Sequence, residues 1–165
     1  MKSVLFICHG NICRSPMAEF IFKDMVRKAG LEEVRIDSAA VSYEEEGNDI
    51  YPPAKRTLHG HGIPFGRHSA RRVTDAEASE YDVIIVMDAS NRRLLSRIIS
   101  PMNMSKVHLM MEYAGKDSDV SDPWYTGDFE KTYRDITEGC AGLLESLSQA
   151  EPISTVGLAK RLIQE

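Results

Sequence analysis

One feature limits the possible fold of this chain more than any other. It is a short run near the N-terminus, in which an apolar strand passes through a tight loop into a helix. Residues 8–16 read Cys-His-Gly-Asn-Ile-Cys-Arg-Ser-Pro and follow the apolar residues 4–7. In such a turn the loop amides and the positive end of the helix point at one spot, where a dianion such as a phosphoryl group is held. The string therefore predicts an anion-binding loop at the end of a buried strand.

The same loop contains a nucleophile and a charged clamp. The field that holds a dianion favours the thiolate form of Cys8, which is the nucleophilic form of a cysteine. Arg14 adds a planar set of donors that matches two phosphate oxygens. We expect the chemistry at Cys8 and Arg14, with phosphate bound by His9, Gly10, Asn11, Ile12, Cys13, Arg14 and Ser15.

The rest of the chain alternates between strand-like and helical patterns. Strands are predicted over residues 3–7, 34–40, 81–87 and 107–111, and helices over 15–29, 54–61, 74–80, 91–99 and 129–147, with a loop over 114–127. Ser15 is the predicted N-cap of the first helix and Gly30 its terminator. The alternation predicts a three-layer α/β fold, with helices on both faces of a four-stranded parallel sheet and the phosphate-binding loop after the first strand.

Length and composition limit the classes of protein to which the chain can belong. At 165 residues, 42% of them hydrophobic, the chain is expected to form one domain over 1–165, with a short extra helix in its tail at 150–165. A net charge of −5 argues against a nucleic-acid partner. Three cysteines are too few for a disulfide framework, and no apolar run suits a signal peptide or membrane span. We expect a cytoplasmic monomer without a membrane partner.

The loop resembles that of the low-molecular-weight protein tyrosine phosphatase family, which reads Cys-x-Gly-Asn-x-Cys-Arg-Ser-Pro near the N-terminus. The resemblance covers about residues 2–148. It implies hydrolysis of phosphotyrosine in tyrosine-phosphorylated proteins, and of small aryl phosphates, through a cysteinyl-phosphate intermediate. It also implies a reaction without a metal ion or a cofactor.

A phosphatase needs a proton donor for the leaving oxygen, and Asp122 in Ser-Asp-Pro-Trp-Tyr is the best candidate. From the residues alone an ordinary Asp-Pro turn remains open. The resemblance favours the donor, because the family carries its general acid in an Asp-Pro-aromatic-aromatic loop before the last helix. Three nearby aspartates are rivals by proximity but lack the following proline: Asp117, Asp119 and Asp128.

Further roles follow from the resemblance. Asn11 is expected in left-handed backbone geometry that shapes the loop, braced by Ser38 and His68. Ser15 matches a hydroxyl that bonds the thiolate, and Asp88 matches an aspartate that orients the loop and Arg14. Relatives also form a protective disulfide between the positions of Cys8 and Cys13 under oxidation, whereas a small loop hydrophobe is the alternative role for Cys13.

The substrate wall is expected to consist of Tyr43, Glu44, Trp124 and Tyr125. Relatives usually place Trp or Tyr on the loop after the second strand, and the matching position here is Glu44. Either Tyr43 takes over the stacking role, or the substrate preference differs. The run Glu44-Glu45-Glu46 would repel acidic phosphopeptides, although a solvated loop is the simpler interpretation.

Other functions fit the sequence less well. An arsenate reductase needs resolving cysteines near residues 86–90, which contain none. A phosphoarginine phosphatase carries threonine at the position of Ile12, and the bulkier isoleucine favours phosphotyrosine. A non-catalytic phosphate-binding module would not need a nucleophile, an arginine and an acid together. A metal site is not expected, because the histidines lack nearby carboxylate or cysteine ligands: His59, His61 and His68.

Overall fold

Four parallel strands form the sheet in the computed structural model, which describes residues 2–31 and 33–149. The strands are β1 (Ser3–Cys8), β2 (Arg35–Ala40), β3 (Val83–Val86) and β4 (Val107–Leu109), and their order across the sheet is β2-β1-β3-β4. All neighbouring pairs run parallel. The predicted α/β fold with a four-stranded parallel sheet is confirmed. The short helix predicted for 150–165 lies outside the described residues.

Helices cover both faces of this sheet. In chain order they are α1 (Arg14–Lys28), α2 (Pro52–Gly60), α3 (Asp75–Ala78), α4 (Ala89–Leu95), α5 (Pro101–Met104), a 3₁₀ helix (Met110–Ala114), α6 (Pro123–Thr126) and α7 (Phe129–Gln149). Successive residues of a strand point to opposite faces. Val4 and Phe6 of β1 therefore pack with α1, α2 and α7, whereas Leu5 and Ile7 pack with α3, α4 and α5. Among the described residues, no helix has the length and hydropathy to cross a bilayer.

The strand order puts the end of β1 at a crevice. β1 lies between β2 and β3: the chain passes from β1 to β2 on one side, then crosses back over β1 to β3 and continues to β4 on the other side. In open α/β sheets this reversal point, at the carboxyl ends of the strands, is the usual binding site. Cys8 is the last residue of β1, so the nucleophile predicted from the sequence lies at that point.

The start of α1 differs from the prediction. The helix begins at Arg14, its N-cap is Cys13 without a side-chain capping bond, and Ser15 lies inside the first turn. The prediction of Ser15 as N-cap was wrong, because the Ser15 hydroxyl contacts Cys8 instead of a helix amide. The end was predicted correctly: Gly30 follows the helix with a positive φ of 71°, a conformation that favours glycine.

Most other differences are at element ends. The strands are one to three residues shorter or longer than predicted, and α4 begins two residues earlier because Asp88 caps it. Thr74, the first residue of the helix predicted over 74–80, is the N-cap of α3 and accepts from the Glu77 backbone N–H. Three short helices were not predicted: α5, the 3₁₀ helix that ends β4 early, and α6 inside the expected loop over 114–127. Helices of a single turn leave little hydrophobic periodicity in a sequence.

The 3₁₀ helix packs closely against α7. A Cβ atom added at Gly142 would lie 1.9 Å from the Tyr113 backbone oxygen, and one added at Gly139 would lie 2.7 Å from Met110 Cε. Both positions of α7 therefore require glycine. One face of α7 is apolar, with Ile136, Cys140, Leu143 and Leu147 buried and Phe129 and Tyr133 partly buried in the core.

Candidate active site

The Cys8 sulfur lies at the floor of a cleft, buried to 3% exposure. Its Sγ accepts a hydrogen bond from the Asn11 backbone N–H at 3.3 Å and is 3.0 Å from Ser15 Oγ. The Ser15 hydroxyl accepts a bond from Asn11 Nδ2 at 2.8 Å, and its own proton has two acceptors within reach, the sulfur at 3.0 Å and the Ala39 backbone oxygen at 3.4 Å. The Asn11 amide therefore stabilises negative charge on the sulfur, and the Ser15 hydroxyl is placed to add a second donor.

Asn11 adopts the left-handed backbone geometry expected for it, with φ of 60°, and is fully buried. Its Nδ2 donates to Ser15 Oγ and to Ser38 Oγ, the latter at 3.0 Å. Its backbone oxygen accepts from His68 Nε2 at 2.6 Å, and its Oδ1 accepts from the Arg71 backbone N–H at 3.3 Å. The structure thus brings Ser15, Ser38 and His68 to this asparagine, whose polar groups hold the loop in a conformation that a side chain otherwise disfavours.

The network continues to a residue that the sequence interpretation missed. The Ser38 hydroxyl donates to Glu19 Oε1 at 2.6 Å, and Lys23 Nζ donates to Glu19 Oε2 at 2.6 Å. Glu19 is buried, and it reaches this position because it lies four residues after Ser15 on the same face of α1. That i, i+4 spacing is a signal in the sequence that could have predicted its place behind the loop.

Arg14 is almost completely buried, at 2% exposure, and its guanidinium is held from two sides. Nη1 donates to Asp88 Oδ2 at 2.7 Å and to the Val120 backbone oxygen at 3.0 Å, whereas Nη2 donates to Asp122 Oδ2 at 3.3 Å. Burial alone would lower the pKa of Arg14, but the charge of Cys8, the bond to Asp88 and the charge of Asp122 raise it. The guanidinium is therefore a permanent cation at this site.

The two aspartates that contact Arg14 come from distant segments of the chain. Asp88 follows β3, and its Oδ1 also accepts from the Asn91 backbone N–H at 2.7 Å at the start of α4. It therefore combines the helix-start role with the orienting contact expected from the resemblance. Asp122 caps α6, where its Oδ1 accepts from the Trp124 backbone N–H at 3.0 Å. Of the rival carboxylates, Asp119 bonds the Ala89 amide and Asp128 the Lys131 amide.

The other two cysteines are protonated thiols. Burial raises the pKa of Cys13, and the nearby charges of Cys8 and Asp122 raise it further. Burial alone raises the pKa of Cys140, which lies inside α7. All three cysteines are free in the structure. Cys8 lies at the end of a strand, where the Asn11 amide donates to its sulfur and the Ser15 hydroxyl is 3.0 Å away.

The cleft has a floor of loop residues and a rim of side chains. Residues 8–10 and 12–14 line the floor, and the rim consists of Glu44, Glu45, Asp122, Trp124 and Tyr125. Asn11 and Ser15, predicted among the phosphate-binding residues, lie buried behind this lining. Of the predicted substrate wall, Glu44, Trp124 and Tyr125 are present. Glu45 was not predicted there.

Tyr43 is the wall residue that the structure does not bring to the cleft lining. Its ring lies against the Arg72 guanidinium, 4.6 Å from the ring centre, and Arg72 Nη1 donates to its hydroxyl at 2.7 Å. A cation–π contact together with a hydrogen bond holds the ring there. The prediction of Tyr43 as part of the cleft wall is thus corrected. Tyr51, which sequence reasoning missed, instead supports the wall, with its ring centre 4.8 Å from that of Trp124.

The three histidines weighed as a metal site have separate partners. His61 stacks on Tyr133 at 3.7 Å and contacts Glu130, His68 bonds the loop at Asn11, and His59 is exposed at the end of α2. Over residues 2–31 and 33–149, no group of three or more possible ligands is arranged to hold a metal ion.

Comparison with known proteins identifies the arrangement. The family model described as low molecular weight phosphotyrosine protein phosphatase matches residues 3–152. The low molecular weight protein-tyrosine-phosphatase YfkJ of Bacillus subtilis is 40% identical over 157 residues, which cover 93% of this chain and 100% of YfkJ. Its crystal structure superposes with a TM-score of 0.85 over 92% of this chain and 97% of that chain.

Two further relatives extend the comparison. The human low molecular weight phosphotyrosine protein phosphatase is 39% identical over 150 residues, covering 87% of this chain and 94% of the relative. The crystal structure of the Drosophila arginine phosphatase DARP is 31% identical, with a TM-score of 0.83 over 92% of this chain and 100% of that chain. With the loop geometry, these matches show that the chain belongs to the low molecular weight phosphotyrosine protein phosphatase family.

Proposed function

We propose that the protein hydrolyses phosphotyrosine in proteins, and small aryl phosphates, with Cys8 as nucleophile, Arg14 as phosphate clamp and Asp122 as general acid. One observation carries this proposal. The sulfur of Cys8, the buried guanidinium of Arg14 and the carboxylate of Asp122 meet in one cleft, although the last comes from a loop more than a hundred residues away. A nucleophile, a fixed cation and a proton donor are the three groups that phosphoryl transfer to sulfur requires.

In the first step a bond forms between Cys8 Sγ and phosphorus while the bond from phosphorus to the aryl oxygen breaks. Asp122 gives its proton to that oxygen, so tyrosine leaves as a neutral phenol. Arg14 and the amides of the loop hold the remaining three oxygens as charge spreads over them. Asp88 and the Val120 carbonyl hold Nη1 of Arg14, which fixes the plane of the guanidinium before substrate arrives.

In the second step water attacks phosphorus and the sulfur–phosphorus bond breaks. The Asp122 carboxylate accepts a proton from the water, which returns the acid to its starting form. The leaving group is the Cys8 thiolate, on which the Ser15 hydroxyl and the Asn11 amide provide hydrogen bonds. Phosphate is released, and no metal ion or cofactor takes part in either step.

The structure favours this reaction over the alternatives. An arsenate reductase needs resolving cysteines near residues 86–90, which contain none, and Cys140 is buried in α7, apart from the cleft lining. The cleft floor at Ile12 is apolar and suits an aromatic ring. A binding module would not need Asp122 beside Arg14.

We further propose a single-domain monomer that acts on tyrosine-phosphorylated proteins in the cytoplasm, in line with three free thiols and a net charge of −5.

Turnover of three substrates tests the proposal. The purified protein should release phosphate from p-nitrophenyl phosphate and from a phosphotyrosine peptide in the presence of EDTA, and it should act poorly on phosphoarginine. Because each step uses only side chains of the chain, EDTA should leave the rates unchanged. Absence of turnover on both aryl substrates, or a preference for phosphoarginine, would contradict the proposed function.

A further inference from the structure

We propose that His9 and Glu44 form a charge-selective lip on the cleft, which favours phosphotyrosine flanked by a cationic side chain over phosphotyrosine flanked by an acidic one. The inference rests on the proposed function and adds a substrate class to it. His9 Nε2 and Glu44 Oε2 are 3.1 Å apart, and both residues line the cleft. Their side chains are 41% and 68% exposed, so a substrate can reach them.

The lip joins two loops that are already packed together. We call residues 41–48 the wall loop. The Ser42 hydroxyl donates to the His9 backbone oxygen at 2.9 Å, and the Val41 amide donates to the Cys8 backbone oxygen at 3.1 Å. A Cβ atom at Gly10 would lie only 3.2 Å from Glu45 Cγ. These contacts hold the wall loop on the phosphate loop, so Glu44 stands at the mouth and not free in solvent.

The acidic residues of the wall loop differ in their partners. Glu45 accepts from Asn48 Nδ2 at 2.7 Å, and Glu46 accepts from the Arg72 backbone N–H at 3.2 Å. Glu44 is the one whose carboxylate contacts another side chain of the cleft lining, His9. Outside the nucleophile Cys8 and the buried Arg14, the charged groups of the lining are Glu44, Glu45 and Asp122, together with His9 when it is protonated. The mouth is therefore negative around a floor that holds the Arg14 cation and the loop amides.

The floor and the mouth of the cleft therefore act on different charges of the substrate: the phosphoryl group and the side chain next to the phosphotyrosine. The phosphoryl group goes to the floor, where Arg14 and the loop amides attract it in every substrate. A neighbouring lysine or arginine replaces His9 as the partner of Glu44, whereas a neighbouring glutamate meets Glu44 and Glu45 with like charge. Such exposed contacts change binding by only about two- to fivefold each, so the lip selects among substrates without changing the chemistry.

Three matched peptides test the lip. They carry phosphotyrosine with Lys, Ala or Glu on both sides, and the measured quantity is the ratio of kcat/KM for the Lys peptide to that for the Glu peptide. The wild-type ratio should exceed one and fall towards one in 1 M NaCl, because salt screens exposed charges. Glu44→Gln should lower the ratio by about two- to fivefold. The matched control is Glu46→Gln, which removes the same charge from the same loop outside the cleft lining and should change the ratio much less.

The pairing with His9 has its own test. His9→Ala frees the Glu44 carboxylate, so it should raise the ratio, and this increase should shrink when Glu44→Gln is also present. A decrease in His9→Ala, or an equal change with and without Glu44, would overturn the pairing. A ratio that Glu44→Gln and Glu46→Gln alter equally, or that neither alters, would overturn the lip. Absence of turnover on all three peptides and on p-nitrophenyl phosphate would instead overturn the proposed function.

Discussion

The floor and the rim of the cleft are built on different principles. Cys8 and Arg14 on the floor are buried, as are Asn11 and Ser15 directly behind it, and each of the four has at least two polar contacts within the loop or to other segments. On the rim, Trp124 and Tyr125 are 53% and 85% exposed and Glu44 has His9 as its partner. The floor is fixed by a network of buried contacts, whereas the exposed rim side chains have fewer contacts that the fold depends on.

The energies of the two regions explain this difference. A buried polar group that loses its partner costs about 1–3 kcal/mol, so a substitution on the floor affects several residues at once. An exposed charge pair contributes at most about 1 kcal/mol. We therefore expect floor substitutions to abolish or greatly reduce turnover and rim substitutions to shift the preference among substrates.

The largest effect is expected for Cys8→Ser. A serine hydroxyl is not ionised at this site, so no phosphoenzyme forms and turnover is abolished, while the backbone-built loop still binds phosphate. Trp124, the one tryptophan of the chain, lines the cleft, so its fluorescence can report phosphate binding directly. Cys140→Ala, which removes a thiol outside the cleft lining, is the control and should keep turnover. Phosphatase activity in purified Cys8→Ser would rule out Cys8 as the nucleophile.

The next effect concerns Asp122, which belongs to the floor by its contact with Arg14 and to the rim by its position. Asp122→Asn should lower the rate by about 10²–10⁴-fold for a tyrosyl or alkyl leaving group, the usual contribution of a positioned acid. The loss should be smaller for p-nitrophenyl phosphate, whose phenol leaves without a proton. Asp119→Asn, in the same loop but bonded to the Ala89 amide, should keep most of the activity. Equal losses on both leaving groups would assign Asp122 a structural role only.

Arg14→Lys tests how far the floor depends on shape and not only on charge. An ammonium group cannot make the planar, bidentate contact with two phosphate oxygens, and it cannot reproduce the contacts to Asp88 and Val120. We expect kcat/KM to fall by about 10²–10³-fold, as for loss of an oxyanion donor. Arg93→Lys, an exposed substitution on α4, is the matched control. A near-wild-type rate in Arg14→Lys would show that Arg14 contributes only its positive charge.

The contrast between floor and rim also explains how much of each region could be predicted from the sequence. The loop was predicted because its chemistry lies within eight residues, from Cys8 to Ser15, and because strand, loop and helix each leave a local pattern. Glu19 was predictable in principle from its helical spacing to Ser15. The Ser15 cap was wrong because a contact to Cys8, which depends on the folded loop, competed with the local preference for capping.

The rim was harder to predict, since its geometry depends on contacts between distant residues. Tyr43 lies beside Arg72, which is 29 positions away in the chain, and nothing in the local pattern distinguishes that contact from a place in the cleft wall. Trp124 lies against Tyr51, which is even farther from it in the sequence. An exposed aromatic or acidic residue can point in several directions, and the folded neighbours decide which.

The smallest effects are expected for substitutions in the substrate wall, and these substitutions test the rim directly. An aromatic contact adds about 0.5–1.5 kcal/mol beyond area burial, or about two- to tenfold in kcat/KM. Trp124→Ala should lower kcat/KM for aryl phosphates by this factor and leave small alkyl phosphates almost unchanged. Glu44→Trp should raise kcat/KM for aryl phosphates and relax the bias against acidic peptides, because it adds a ring and removes the charge from the lip.

Tyr43→Ala is the matched control for the wall, because its ring packs on Arg72 outside the cleft lining. It should change the ratio of aryl to alkyl turnover much less than Trp124→Ala. If Tyr43→Ala has the larger effect, Tyr43 turns into the cleft when substrate binds and carries the stacking role. If Glu44→Trp leaves every ratio unchanged, residue 44 points to solvent during turnover, and aromatic recognition depends on Trp124 and its support from Tyr51. The wall would then have one aromatic side, and Glu44 would contribute neither a ring contact nor charge selection.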